Sequence, residues 1–234
     1  MKIDHRRHYI LVLDTETANT LTDERGKLDM SNVLAYDCGW CIMDTRGNIY
    51  REHSYVNRDI FYGQADLMQS AYYSNKIPRY LEDIESGSRI VNSTYGIRRA
   101  MLNEMEEFGI TEVCAHNARF DINALNTTLR YVTKSRSRYW FPYGTEVWDS
   151  MLMARSVIHK MPTYEKWAIE NNALSAKTKQ LSTTAENLYR FISKNNDFKE
   201  SHTGLEDVQI EREIIKYCYR QKKQMKKVLY GRKS

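Results

Sequence analysis

At 234 residues, 41% hydrophobic and 12% aromatic, the chain has room for one ordinary domain, with or without an insertion, and enough apolar material for a real core. It carries no apolar run long enough to span a bilayer, and its polar opening MKIDHRRHY is no signal peptide, so a soluble, cytoplasmic protein with no membrane partner is expected. The net charge of +5 understates a local bias: Lys216 to Ser234 holds eight Lys or Arg and no acid.

The first predicted element is a strand from about Tyr9 to Thr15, apolar on both faces as a central strand should be. A polar loop follows through Asn32. Two further strands, Ala35 to Asp44 and Asn48 to Asn57, are joined by the turn Thr45-Arg46-Gly47-Asn48, which makes a three-stranded antiparallel opening. The second strand contains Cys38 and Cys41, spaced like half of a zinc or redox site. Residues three apart on a strand face opposite ways, and no second close pair exists, so all four cysteines (38, 41, 114 and 218) read as buried thiols.

A mostly helical region is expected from about 60 to 108, broken near Gly87 and Gly96. After it come a short strand (Glu112 to His116), a helix (Arg119 to Val132), a short strand ending at Trp148, and then mainly helices. Residues 216 to 234 read as a basic helix end. A second basic stretch, Arg130 to Arg138, runs into the aromatics of YWFPYG. Basic runs are usually solvated faces and alone point only weakly to nucleic acid.

Acids sit where apolar elements end. The period of two puts Asp14 and Glu16 on one side of the first strand and Thr15 on the other. Two carboxylates one strand repeat apart repel unless a cation lies between them, although a solvated strand end would also carry them. Asp121 heads the stripe Asp121, Leu125, Leu129, Val132 of its helix, whereas a plain cap would precede that helix. In the last helix Thr203 and Glu206 have capping-box spacing. That spacing leaves His202 just outside and puts Asp207 at the head of a stripe through Ile210, Ile214, Tyr217/Cys218, Gln221, Met225 and Val228. Asp149 reads as a helix N-cap or as a group supporting the ligands, rather than as a ligand itself. Hard oxygen donors in this number suit Mg²⁺ or Mn²⁺ and not zinc. An EF-hand loop is excluded because the ligand spacing and central glycine are absent after Asp14.

In order, then, the chain has LDTET, AHNARFD and HTGLED. The set resembles the DEDDh branch of the DnaQ-like 3′-5′ exonucleases, the ribonuclease T and polymerase III epsilon type, which carry DxE, HNxxFD and HxxxxD. The tyrosine branch would need Tyr at position 203, which is Thr, and WDSMLMAR resembles that family's D-T/S-x-x-x-A-R stretch. Two departures are Ala18-Asn19 with a longer polar loop in place of a glycine turn, and an extended helical region before the middle motif.

The resemblance implies one α/β domain over 1–234 with a ribonuclease H-like mixed five-stranded sheet, three antiparallel strands followed by parallel ones, flanked by helices. It implies a 3′-5′ exonuclease that acts on the 3′ end of single-stranded nucleic acid, with DNA favoured, and releases nucleoside 5′-monophosphates. Two Mg²⁺ or Mn²⁺ ions would be held by Asp14, Glu16, Asp121 and Asp207. Asp14 would bridge them, and Asp121 would hold the second largely through waters. His202 would be the general base, and Thr17 and Asn117 would touch the terminal nucleotide. An exoribonuclease trimming RNA ends or short oligonucleotides is an alternative, since metals read phosphate and not sugar. A non-catalytic nucleic-acid-binding or polymerase-tethering module is another, although it should have lost one of the five residues. A homodimer or association with a polymerase is compatible with the family.

Overall fold

The computed structural model describes residues 3–19, 24, 26, 29–69, 71, 74–175 and 178–230. Parts of three expected elements lie outside these: most of the polar loop after Asn19, three positions between 70 and 73, and the last four residues of the basic end.

The chain opens with β1 (Tyr9–Ala18), β2 (Leu34–Asp44) and β3 (Ile49–Asn57). Three short helices follow, α1 (Arg58–Phe61), α2 (Ala65–Gln69) and α3 (Ile77–Glu85), then β4 (Ile90–Asn92) and α4 (Thr94–Phe108). Next come β5 (Glu112–Ala115), α5 (Arg119–Thr133), β6 (Glu146–Asp149) and α6 (Ser150–Val157). The remaining elements are α7 (Pro162–Glu170), α8 (Ala185–Ser193), α9 (Gly204–Arg220) and β7 (Val228–Tyr230).

These strands form one mixed sheet in the order β4-β3-β2-β1-β5-β6-β7. Its middle is the expected arrangement: β1 pairs antiparallel with β2 and β2 with β3, while β5 and β6 run parallel to β1. The expected count of five strands is too low. Each edge carries an additional three-residue strand, β4 parallel to β3 and β7 antiparallel to β6. Both are concealed by their surroundings, β4 by a helical stretch and β7 by a basic run.

Two further expectations need correcting. Gly96 does not break the helical region but lies in the first turn of α4, where its N–H is capped by Ser93 Oγ at 3.1 Å. The break near Gly87 does occur; the residue takes φ 78° just after α3. The basic end is not helical throughout, because α9 stops at Arg220 and the chain crosses to β7.

The alternation of β1 divides the core. Tyr9, Leu11 and Leu13 pack with α4 and α5 through Ile97, Met101, Met105, Phe108, Leu125 and Leu129. Ile10 and Val12 pack with α6 to α9 through Met153, Tyr164, Leu188, Val208, Ile210 and Ile214. Cys38 and Cys41 fall on opposite faces, and all four cysteines are free and buried. The start of α9 touches β2 backbone to backbone: a Cβ on Gly39 would lie 2.2 Å from the Gly204 carbonyl carbon. That contact sets α9 flat against the face on which β1 displays Asp14 and Glu16.

Candidate metal centre

The register between β1 and β5 covers only Leu11↔Val113 and Val12↔Cys114. No further β1–β5 pairing follows among the described residues, so the end of β1 is paired with β2 alone. Asp121, in the first turn of α5, meets it there. Its Oδ1 accepts from Thr15 N at 3.0 Å and from Thr15 Oγ1 at 2.8 Å. Asp121 is thus tied to β1 through the residue on the opposite face from Asp14 and Glu16.

On the other face, α9 delivers Asp207 and the loop before it delivers His202. One ligand atom each from Glu16, His202 and Asp207 all lie within 4.8 Å of one another. Glu16 and Asp207 are buried, while the His202 side chain is 40% exposed. His202 stands in the left-handed region at φ 53°. Lys76 Nζ donates to the carbonyls of Ser201 and His202, the latter at 3.0 Å, and so fixes that turn.

The capping box expected at α9 does not form. Thr203 is the N-cap, but its hydroxyl pairs with Ser201 Oγ and makes no cap bond. The buried carboxylate of Asp37, on β2, takes its place by accepting the Gly204 N–H at 3.0 Å. Asp37 Oδ2 also accepts from Tyr80 Oη at 2.5 Å and Arg89 Nη1 at 3.1 Å. Arg89 in turn holds Glu206 through two bonds of 3.0 and 3.1 Å, together with Asp83 and Ser54. Glu206 is therefore drawn outward to Arg89, and Asp207, the next residue, faces the acids.

The electrostatics follow from crowding. Burial pushes the Glu16 carboxyl up to about 9, aided by the charges of Asp207 and Asp37 and opposed by Lys76. Burial, then Glu200, raises Asp207 to about 8. Burial raises Asp121 to about 7 against the two Thr15 bonds. Asp14, partly open to solvent, is also raised, first by desolvation and then by Asp121, Glu211, Asp207 and Glu16. His202 moves the other way, lowered by burial and by Lys76.

Glu211 lies outside the expected set of site residues. It stands one turn beyond Asp207, is 2% exposed, and accepts the His116 N–H at 3.1 Å. Its signal is present, since position 211 shares the stripe begun at 207, but apolar residues define that stripe and hide the acid. Asp149 is the N-cap of α6, accepting from Met151 N at 2.9 Å, and it also accepts the Asn117 N–H at 3.1 Å. Asn117 is exposed at φ 61° beside the head of α5, while Thr17 is buried at the end of β1.

These residues fit a divalent cation. The donors are mostly carboxylate oxygens with one imidazole, and two buried oxygens, Asp207 Oδ1 and Glu211 Oε2, have no hydrogen-bond partner among the described residues. Buried anionic oxygens without partners are costly unless a cation meets them.

No protein-family model matches the sequence, and no curated protein matches it. The fold is similar to that of E. coli ExoI in a crystal structure of its zinc-bound complex with ssDNA, at a TM-score of 0.50 and 12% identity. The match covers 92% of this chain and 41% of that one, so this chain spans less than half the length of its structural neighbour.

Proposed function

We propose that this chain is a metal-dependent 3′-5′ exonuclease of the DEDDh type, hydrolysing phosphodiesters from the 3′ end of single-stranded nucleic acid, with DNA favoured. The observation that carries the reading is the convergence of Glu16, His202 and Asp207 within 4.8 Å, from a strand, a helix and the loop before that helix, far apart in sequence. The fold likeness to ExoI, solved with ssDNA, supports it.

In this reading Asp14, Glu16, Asp121 and Asp207 hold two divalent ions, Mg²⁺ or Mn²⁺. The ions supply Lewis acidity to the scissile phosphate and neutralise the charge that develops on it. His202 accepts the proton of the attacking water, whose oxygen bonds to phosphorus as the bond from phosphorus to the 3′ oxygen breaks. The products are a nucleoside 5′-monophosphate and a strand shortened by one, whose departing 3′ oxygen takes a proton from solvent to become a 3′-hydroxyl. The lowered basicity of His202 keeps its imidazole neutral near pH 7, with a lone pair to receive the proton. Lys76 orients that imidazole by fixing the turn at His202. Asn117, exposed beside the head of α5, and Thr17, at the end of β1, would contact the terminal nucleotide, as the resemblance implies.

The test is a side-by-side digestion of 5′-labelled single-stranded DNA and RNA with Mg²⁺, with Mn²⁺ and with chelator. A ladder shortening from the 3′ end, with DNA faster, is expected. Faster loss of RNA would reassign the substrate, and no cleavage of either with metal bound would leave a binding module.

A further inference from the structure

The turn of α9 that follows Asp207 carries an acid that the DEDDh signature does not include. We propose that Glu211 is a fifth carboxylate of the metal centre, holding the second cation from the helix side, directly or through water, opposite Asp14 and Asp121. The proposal rests on the nuclease reading above and deepens it.

The spacing of the two elements supports it first. Asp207 and Glu211 are four residues apart on α9, a rise of about 6 Å. Asp14 and Glu16 are two apart on β1, a rise of about 6.6 Å. The helix lies against that face of the strand, so its acids and the strand's are in step. Asp207 meets Glu16, and Glu211, one turn further along α9, falls on the side of Asp14. On this spacing the centre would have two levels, each with one strand acid and one helix acid; the first, with His202, is the one whose ligand atoms already lie within 4.8 Å of one another.

The second level is poor in donors without Glu211. One oxygen of Asp121 is committed to Thr15 by two hydrogen bonds, leaving only Oδ2 for a ligand. Glu211 is 2% exposed; its Oε1 accepts the His116 N–H, and its Oε2 has no partner among the described residues. Accepting one N–H does not require a charge, because a glutamine would do it as well. A carboxylate with a bare oxygen among three other acids is accounted for by a cation.

The experiment is calorimetric titration of the chelator-stripped full chain with Mn²⁺ alone, for the wild type and Glu211→Gln, with melting temperature recorded across the same titration. Gln keeps the acceptor for His116 and removes the charge. The wild type is expected to bind two ions, and the variant to keep the tighter one while the other weakens by about 10–100-fold, the usual effect of losing a supporting ligand. Its metal-free melting temperature should equal or exceed the wild type's, and its metal-induced rise should be smaller. Two unchanged affinities in a folded variant overturn the proposal and leave the nuclease reading standing. A variant that unfolds without metal also overturns it, by assigning the charge to the fold. A wild type that binds no Mn²⁺ overturns both.

Discussion

Thr15 and Asp121 lie 106 residues apart, yet the main-chain N–H and the hydroxyl of Thr15 both donate to a single carboxylate oxygen of Asp121. This pairing separates the acid's structural work from its charge. Asp121→Asn retains the accepting oxygen and should leave metal-free stability equal or higher while abolishing nuclease turnover. Asp121→Ala leaves the buried Thr15 N–H without its acceptor and should cost about 1–3 kcal/mol. Denaturant unfolding in chelator distinguishes the two; an Asn variant as unstable as the Ala one would contradict the pairing.

The raised carboxyls predict an inverted pH dependence for the metal-free protein. Glu16, Asp207 and Asp121 titrate at about 9, 8 and 7 when folded, against about 4 when unfolded. Across that window the folded chain binds more protons than the unfolded one, so stability falls as pH rises. In chelator the melting temperature should drop steadily from about pH 5 to pH 9, and saturating Mg²⁺ should flatten or reverse the trend. A melting temperature that climbs over this range without metal would count against the crowded site.

His202→Ala should lower kcat by roughly two to four orders of magnitude, the usual contribution of a positioned base. Single-strand binding should persist. Because burial and Lys76 lower the imidazole, the wild-type rate should rise through an apparent pKa below the ordinary histidine value and then level. That limb should disappear in the variant. An alanine variant with near-normal turnover and the same pH profile would end the histidine-branch assignment.

Arg89 is a stability prediction. Its side chain is 3% exposed and faces the fully buried Asp37, so Arg89→Met leaves that carboxylate without its cationic partner and should cost about 3–5 kcal/mol. Adding Asp37→Asn should recover part of the loss, readable as a coupling in a double-mutant cycle. Additive effects would show that the pair is not coupled.

The basic surfaces predict a change in KM. Arg138 Nη1 donates to Tyr95 Oη at 2.7 Å, and Arg130 lies 4.8 Å over the exposed ring of Tyr139. Basic and aromatic groups interleaved in this way suit single-stranded nucleic acid. Replacing Arg136 and Arg138, or the exposed Lys222 and Lys223, with Glu should raise KM by up to roughly tenfold at low salt, with kcat steady and the effect fading as salt rises. Deleting from residue 221 onward is a different experiment. Lys227 Nζ sits 4.1 Å from the Trp148 ring centroid, and its carbonyl accepts the Asp149 N–H at 2.8 Å, so that deletion should destabilise the fold.

Periodicity makes much of this legible. The alternation of β1 puts Asp14 and Glu16 on the face that α9 covers, and the helical stripes predict that Asp121 and Asp207 face inward, as they do. What stays hidden depends on partners distant in sequence. Glu206 has the spacing of a capping box, but Arg89, 117 residues away, holds it instead. Asp37 sits inside a strand that reads as core, and only the approach of Gly204 shows its use as a helix cap. Glu211 belongs to a stripe defined by its apolar members, so its charge reads as surface. Three-residue strands such as β4 and β7 are fixed by the sheet they join and not by their own residues.

Because β1 and α9 lie far apart in sequence, their acids can meet only after the segment through Glu211 has been synthesised. A chain interrupted between Thr133 and His202 has β1 and α5 but lacks His202, Asp207 and Glu211 together. On the nuclease reading proposed above, such fragments lack the base and both helix acids, so abortive translation or early proteolysis should leave no active nuclease behind.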